Sequence, residues 1–200
     1  MLVGVRIIAG VYRSRGLEAP AGLATRPTSD RLRETLFNVL APRIEGASFL
    51  DLYTGSGAVG LEALSRGVAR VTFVEQDAKA IAVLRGNLER LGVTGGFRVS
   101  ACGVASFLRS KQVEPFRLIF LDPPWDAAAE YESALELLGG QAAGMLAEGG
   151  LVIAEHRRKE PLKERYGGLE RTRLLEQGDA ALSFYQVAIS MGVDSSGQRV

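Results

Sequence analysis

A chain of 200 residues, 46% hydrophobic and 24% charged with a formal net charge of +1, has the composition of one globular domain with an ample core. One cysteine, Cys102, and one histidine, His156, exclude both a disulfide framework and a Cys/His metal centre; no metal is expected, and the cysteine usage suits a reducing cytoplasm. No apolar run reaches the length of a membrane span, and "MLVGVRIIAG" is broken by Arg6 too early for a signal peptide, so the expectation is a cytoplasmic protein with no membrane partner.

The charge is uneven along the chain. Residues 1–43 hold seven arginines (6, 13, 15, 26, 31, 33 and 43) against Glu18, Asp30 and Glu34, while the remainder is net acidic. This asymmetry predicts an anionic partner for a basic extension spanning 1–43. Within it, Val5–Ala9 and Arg15–Ala19 flank "GVYRS" and read as a short hairpin. "TRPTSDRLRETLFNVL" then predicts a helix preceded by Pro27 and capped by Thr28 or Ser29, with Leu32, Leu36, Val39 and Leu40 as its apolar stripe and Arg31 and Arg33 outside it.

From residue 44 to 190 the pattern alternates. Strands are expected at 48–52, 70–75, 96–100, 116–122 and 150–155, with helices at 57–66, 78–91, 104–110 and 129–143 between them. That order predicts an α/β fold, a doubly wound and mostly parallel sheet. "LERTRLLE" and "ALSFYQVAI", on either side of Gly178–Asp179, read as a closing hairpin, and residues 191–200 as a loose tail.

Two motifs carry chemistry. In "FLDLYTGSGAVGLEAL" a buried strand ends at Asp51–Leu52, a glycine-rich turn follows, and a helix begins, so backbone N–H groups and a helix N-terminus face whatever crosses the turn. Gly55, Gly57 and Gly60 satisfy G-x-G-x-x-G, and Glu75 ends the next strand where a carboxylate can hold ribose hydroxyls. These residues suit a nicotinamide or flavin dinucleotide as well as S-adenosylmethionine. The second motif, "LIFLDPPWDAAAEY", separates the two. An exocyclic base amine is a poor nucleophile, because its lone pair is delocalised; a site for it needs fixed acceptors for its N–H groups and a stacking face for the extruded base. Asp122 offers a carboxylate, Pro123 a carbonyl, the Pro123–Pro124 pair stiffens both, and Trp125 supplies the face. A helix-capping Asp122 and a core Trp125 are the plainer readings, but they leave the diproline unexplained.

Together "RIIAG", "RPTSDRLRETLFNVL", "LDLYTGSGAVGLEALSRG", "VEQD", "NL" and "LIFLDPPW", between about Arg6 and Tyr185, resemble the RsmD-type guanine-N2 methyltransferases of bacterial small-subunit (16S) ribosomal RNA. The resemblance implies a Rossmann-like class I methyltransferase with a seven-stranded sheet whose last strand is antiparallel. It implies methyl transfer from S-adenosylmethionine, leaving S-adenosylhomocysteine, to the N2 of a guanine within an assembled or partly assembled small subunit. By its motifs Asp51, Gly55 and Gly57 would line the methionine part, Glu75 the ribose, and Asp122, Pro123, Pro124 and Trp125 the guanine, with Tyr53, Ser56, Gln76, Cys102 and Gly103 as further cofactor-binding candidates. Arg13, Arg15, Arg26, Arg31 and Arg33 become candidates for RNA phosphates, a merely solvated basic face being the alternative.

Three positions depart from the family pattern. Cys102 and Gly103 stand where relatives carry an acid or amide facing the adenine, which leaves that contact to backbone groups; Trp125 replaces Tyr or Phe, and Tyr53 a phenylalanine. An adenine-N6 or glutamine methyltransferase, and a ribosome-assembly binder with a residual site, remain as other readings of the same motifs. Cys102 reads as a small packed residue, and His156 is a proton-carrier candidate only as the sole histidine.

Overall fold

The computed structural model describes residues 5–19, 30–110 and 114–188; Arg26, the cap at Pro27 to Ser29 and the tail 191–200 lie outside the described residues. The alternation resolves into β1 (Ser48–Leu52), α2 (Ala58–Ser65), β2 (Arg70–Glu75), α3 (Ala78–Leu91), β3 (Phe97–Ala101), α4 (Val104–Arg109), β4 (Phe116–Leu121), α5 (Ala128–Gly139) and β5 (Leu146–Arg157), preceded by α1 (Asp30–Ile44). β6 (Arg165–Tyr166), β7 (Leu169–Gln177) and β8 (Ala180–Val187) complete one sheet in the order β3-β2-β1-β4-β5-β8-β7-β6. The first five strands are parallel, and β8 inserts antiparallel between β5 and β7.

The sheet has eight strands where seven were expected. The extra one, β6, is two residues long and adds to the edge by pairing with β7, too short to leave a period in the sequence. β5 is also longer than its apolar run, because it continues back through Gly149 at φ +65° and Gly150 to Leu146. Helix α5 stops at Gly139, ahead of position 143; residues 143–145 form a separate 3-10 turn.

Central strands read as continuous apolar runs because helices cover both faces. Leu50, Leu52, Ile119 and Leu121 point to one side, with α4 and α5, while Phe49, Leu118 and Phe120 point to the other, with α1, α2 and α3. Gly60 on α2 shows how closely that second layer approaches. A Cβ there would lie 2.3 Å from the Phe73 ring and 2.8 Å from Asp51 Oδ2. Gly60→Ala is therefore expected to cost about 1–3 kcal/mol by overpacking, read as a lower thermal midpoint.

The N-terminal arms form a looser hairpin than the alternation suggested, with one antiparallel bridge, Arg6 to Gly16, instead of two strands. Backbone bonds from Ile7 N–H to Arg15 O (2.9 Å) and Leu17 N–H to Val5 O (2.7 Å) hold the arms together. Val5, Ile7 and Leu17 are buried and join Leu32, Leu36, Phe37 and Leu40 of α1 in the core of the α2 layer.

Buried Glu62 of α2 is the anchor of this segment. Its carboxylate accepts from Ile8 N–H (2.7 Å), Ala9 N–H (3.0 Å) and Arg66 Nε (2.7 Å). Ser65 extends the clamp, accepting from Tyr12 N–H (3.0 Å) and donating to the Ala9 carbonyl. Arg33 completes it from α1 and corrects an expectation. Placed outside the apolar stripe and assigned to RNA phosphate, it is fully buried: Nη2 donates to Asp30 (2.8 Å) and the Arg6 carbonyl, and Nε lies 3.9 Å from Glu62. A guanidinium so enclosed has no route to a phosphate.

Candidate active site

Register brings the two motifs together. Leu52 pairs with Val74 on one side and Leu121 on the other, and Leu121 pairs with Ala154. The next residues along these strands, Tyr53, Glu75, Asp122 and Glu155, therefore stand side by side at the carboxyl ends. The strand order reverses between β1 and β4, so this is the switch point where open α/β sheets bind ligands.

On the β1 side, Thr54 bolts the glycine turn to β2. Its hydroxyl donates to the Asp51 carbonyl (2.8 Å) and accepts from Val74 N–H (3.2 Å), while its own N–H reaches Val74 O. Tyr53 adopts a left-handed φ of +61°, a conformation costing a bulky residue roughly 1–3 kcal/mol. Its hydroxyl donates to Glu130 Oε2 at 2.7 Å, tying the β1 tip to the first turn of α5. Gly57 precedes α2 at φ +84°. A Cβ at Gly55 would meet nothing within 4 Å, so the outer side of the turn is open space.

Asp51 is corrected from a cofactor contact to a residue that shapes the turn. It is only 2% exposed, and its Oδ2 accepts from Gly60 N–H at 2.9 Å. Burial pushes its carboxyl well above the usual range, against the Gly60 hydrogen bond and with a further push from Glu75.

Glu75 is held the other way up. Its Oε2 accepts from Gly55 N–H (2.9 Å) and its Oε1 from Gln76 and Asp77 N–H (2.8 and 2.9 Å), which leaves a half-exposed carboxylate fixed by three backbone donors. Gly103 lies against Gln76, since a Cβ there would sit 3.1 Å from Gln76 Oε1. Cys102, beside it, is a half-buried free thiol 3.4 Å from Ser100 Oγ. Behind the turn the Ser56 carbonyl accepts from Asn87 Nδ2 (3.0 Å), and the same buried amide exchanges bonds with Glu18 N–H (2.8 Å) and Glu18 O (3.0 Å). Asn87 stands in the quoted "NL" but had no role assigned from sequence, although an amide among Ala80, Leu84, Leu88 and Leu91 on the buried face of α3 is a visible signal.

On the β4 side Asp122 and Trp125 are half-buried and Pro123 is buried. Pro124 closes the turn by accepting from Ala127 N–H at 2.8 Å. Tyr131, also unforeseen, reaches up from α5: its hydroxyl lies 2.9 Å from the Glu155 carbonyl and 3.2 Å from that of Pro123. Burial first, then the charges of Asp122 and Glu155, raise its pKa, so the phenol stays a donor, its one hydrogen shared between the Glu155 carbonyl and the more distant Pro123 carbonyl. His156 is not placed to carry protons. Buried between β5 and β8, its Nδ1 donates to the Arg157 carbonyl (2.9 Å) and its Nε2 faces Ser183 Oγ (2.9 Å), while burial lowers its pKa.

Of the arginines expected at RNA, Arg13, Arg15 and Arg31 are exposed. Arg13 belongs to the hairpin tip that Val11 and Tyr12 fasten to Ser65, the last residue of α2. That end is about 12 Å along the helix from the glycine turn. Among the described residues no group of three or more His, Cys, Asp or Glu could hold a metal ion, and no helix is long and apolar enough to cross a membrane.

A sheet of this order, with its glycine turn and acidic diproline tip meeting across the switch point, defines the fold of a Rossmann-like, class I S-adenosylmethionine-dependent methyltransferase. The family model described as Conserved hypothetical protein 95 matches residues 5–186. The chain is 43% identical over 151 residues to ribosomal RNA small subunit methyltransferase D of Escherichia coli K12, across 76% of this chain and 74% of that one. Against the protein of the same name in Haemophilus influenzae it is 37% identical over 183 residues, 86% of this chain and 93% of the other. The solved structure of a hypothetical protein of Thermus thermophilus superposes with a TM-score of 0.76 at 35% identity, covering 92% of this chain and 99% of that one. The chain belongs to this family, the RsmD-type methyltransferases.

Proposed function

We propose that this protein transfers a methyl group from S-adenosylmethionine to the exocyclic N2 amine of a guanine in 16S ribosomal RNA of the small subunit. The observation that carries the reading is the facing pair of fixed elements: a glycine turn braced by Glu75 on one side of the switch point, Asp122 and the tethered Pro123 carbonyl on the other. The names of the 43% and 37% identical relatives support small-subunit RNA as the substrate class.

The residues present suit the cofactor. The open space above Gly55 admits a ligand against bare backbone, and a half-exposed carboxylate at the β2 tip is the group that holds a ribose diol. Tyr53, Gly55, Ser56 and Gly57 would flank the methionine part, Glu75 and Gln76 the ribose, and Cys102 and Gly103 the adenine. When bound, S-adenosylmethionine supplies a sulfonium-activated methyl. The protein's task is then orientation and stabilisation of the positive charge that develops on the amine. Asp122 and the Pro123 carbonyl accept the two amine N–H bonds, which lets the nitrogen lone pair turn out of the ring plane; Asp122 balances the charge and takes the proton. Trp125 stacks on the base. Arg13, Arg15 and Arg31, in the extension of residues 1–43, contact phosphates farther along the RNA, so substrate binding weakens with salt.

Loss of Glu75 removes the ribose acceptor and the brace on Gly55 together. Glu75→Ala is expected to weaken S-adenosylmethionine binding roughly tenfold to a hundredfold, measured by calorimetry, in line with about 1.5–3 kcal/mol for hydrogen bonds to a charged group. The amine itself is tested with RNA carrying inosine, which lacks N2, in place of the target guanosine. Methyl transfer should vanish; transfer at an undiminished rate would rule out N2 as the acceptor.

A further inference from the structure

One cation at the base site comes from outside the N-terminal extension. The guanidinium carbon of Arg157, at the end of β5, lies 5.2 Å from the centroid of the Trp125 ring, within cation–π range. Parallel pairing explains the meeting: Leu121 and Ala154 are register partners, so β4 turns out of the sheet at Asp122 while β5 runs on beside it to Arg157, still paired with β8. Arg158 and Lys159 come next, and all three side chains are exposed. The segment is a built turn. Glu160 N–H donates to the Arg157 carbonyl (3.1 Å), and Arg158 N–H donates to Asp179 O (2.8 Å), which fastens the turn to the β7–β8 hairpin.

We propose that the turn Arg157–Arg158–Lys159 is the phosphate-binding rim of the base site, and that Arg157 also sets the plane of Trp125. This rests on the reading of Asp122 to Trp125 as the seat of an extruded guanine. A nucleotide turned out of its stack brings its flanking phosphates to the mouth of the pocket, where Arg157 lies against Trp125 and Arg158 and Lys159 follow it. Arginine serves both tasks, because its planar guanidinium stacks on an aromatic face while its N–H edge remains free for phosphate oxygens. Glu160 now occupies Arg157 Nη1 at 3.2 Å, but with side chains 47% and 55% exposed the pair is weak and exchanges readily for phosphate. Arg13 lies at the other end of α2, and Arg33 is enclosed in the core, so neither substitutes for the rim.

The test is steady-state methylation of small ribosomal subunits over a range of salt, with Arg157→Gln and the double variant Arg158→Gln/Lys159→Gln. Both should raise KM about tenfold at physiological salt and flatten its salt dependence, by about 0.7 in log–log slope for each single-strand phosphate no longer neutralised. Melting temperature and S-adenosylmethionine affinity should stay unchanged. Arg157→Gln should in addition lower kcat and shift the emission of Trp125, the only tryptophan in the chain, before any RNA is added. Wild-type KM and salt slope in both variants, with Asp122→Ala and Trp125→Ala inactive, would overturn the rim alone. Full activity of Asp122→Ala and Trp125→Ala would remove the base site and the rim with it.

Discussion

Asp122→Ala is expected to lower kcat for methyl transfer at least a hundredfold while S-adenosylmethionine binds almost as it does to the parent protein. Removing one preorganised partner of a developing charge costs roughly 10²–10³ in rate, or about 3–4 kcal/mol, in enzymes that stabilise charge this way. The proposed reaction gives Asp122 that part: it follows Leu121 at the β4 tip, next to a carbonyl within reach of Tyr131 and across the switch point from the glycine turn. The cofactor's expected contacts lie on β1, β2 and β3, so its affinity has no reason to follow. Asp122→Asn keeps an acceptor oxygen without the charge and should retain more activity than the alanine variant. Rapid-quench rates beside calorimetric affinities check both; an equal loss of affinity in Asp122→Ala would move the residue into the cofactor site.

Glu62→Ala is expected to be among the most damaging substitutions to stability, and Arg33→Met far milder, although the two residues share one buried cluster. Glu62 accepts from two backbone N–H groups and from Arg66, and its loss unpairs all three and leaves buried Arg33 with Asp30 as its remaining ion-pair partner. Breaking a buried ion pair from one side costs about 3–5 kcal/mol. At roughly 2–4 °C per kcal/mol for a chain of this size, the thermal midpoint should fall by about 6–20 °C. Arg33→Met leaves Glu62 its three closer donors and removes a guanidinium whose Nε and Nη1 have no hydrogen-bond partner among the described residues. One-sided loss of a buried pair is costly because a charge is left unpaired, and here Glu62 keeps Arg66 at 2.7 Å. Scanning calorimetry of both variants decides it, and equal destabilisation would mean that the cluster's stability resides in Arg33.

The order of strands and helices was readable because buried parallel strands are short apolar runs separated by amphipathic helices, a pattern that "SFLDL", "RVTFVE" and "FRLIFL" display openly. The two motifs were readable because glycine turns and diprolines are rare and local. What escaped were the contacts made at long range. Arg33 looks like any surface arginine in "DRLRETLF"; only the approach of Glu62, 29 positions later, turns its side of α1 into an interior. Tyr131 reads as one more apolar position of α5 until the Pro123 and Glu155 carbonyls arrive from two strands. Asp51 shares its motif with the candidate cofactor contacts, but Gly60 folds back onto its buried carboxylate. β6 exists only because the β7 edge offers hydrogen bonds to two passing residues.

The measurement that bears most directly on the whole account is transfer of a radiolabelled methyl from S-adenosylmethionine to small ribosomal subunits prepared from cells lacking this protein, followed by nucleoside analysis of the RNA. The account predicts label in N2-methylguanosine of 16S RNA. Label in N6-methyladenosine or in a protein, or cofactor binding with no label in any small-subunit RNA, would contradict it.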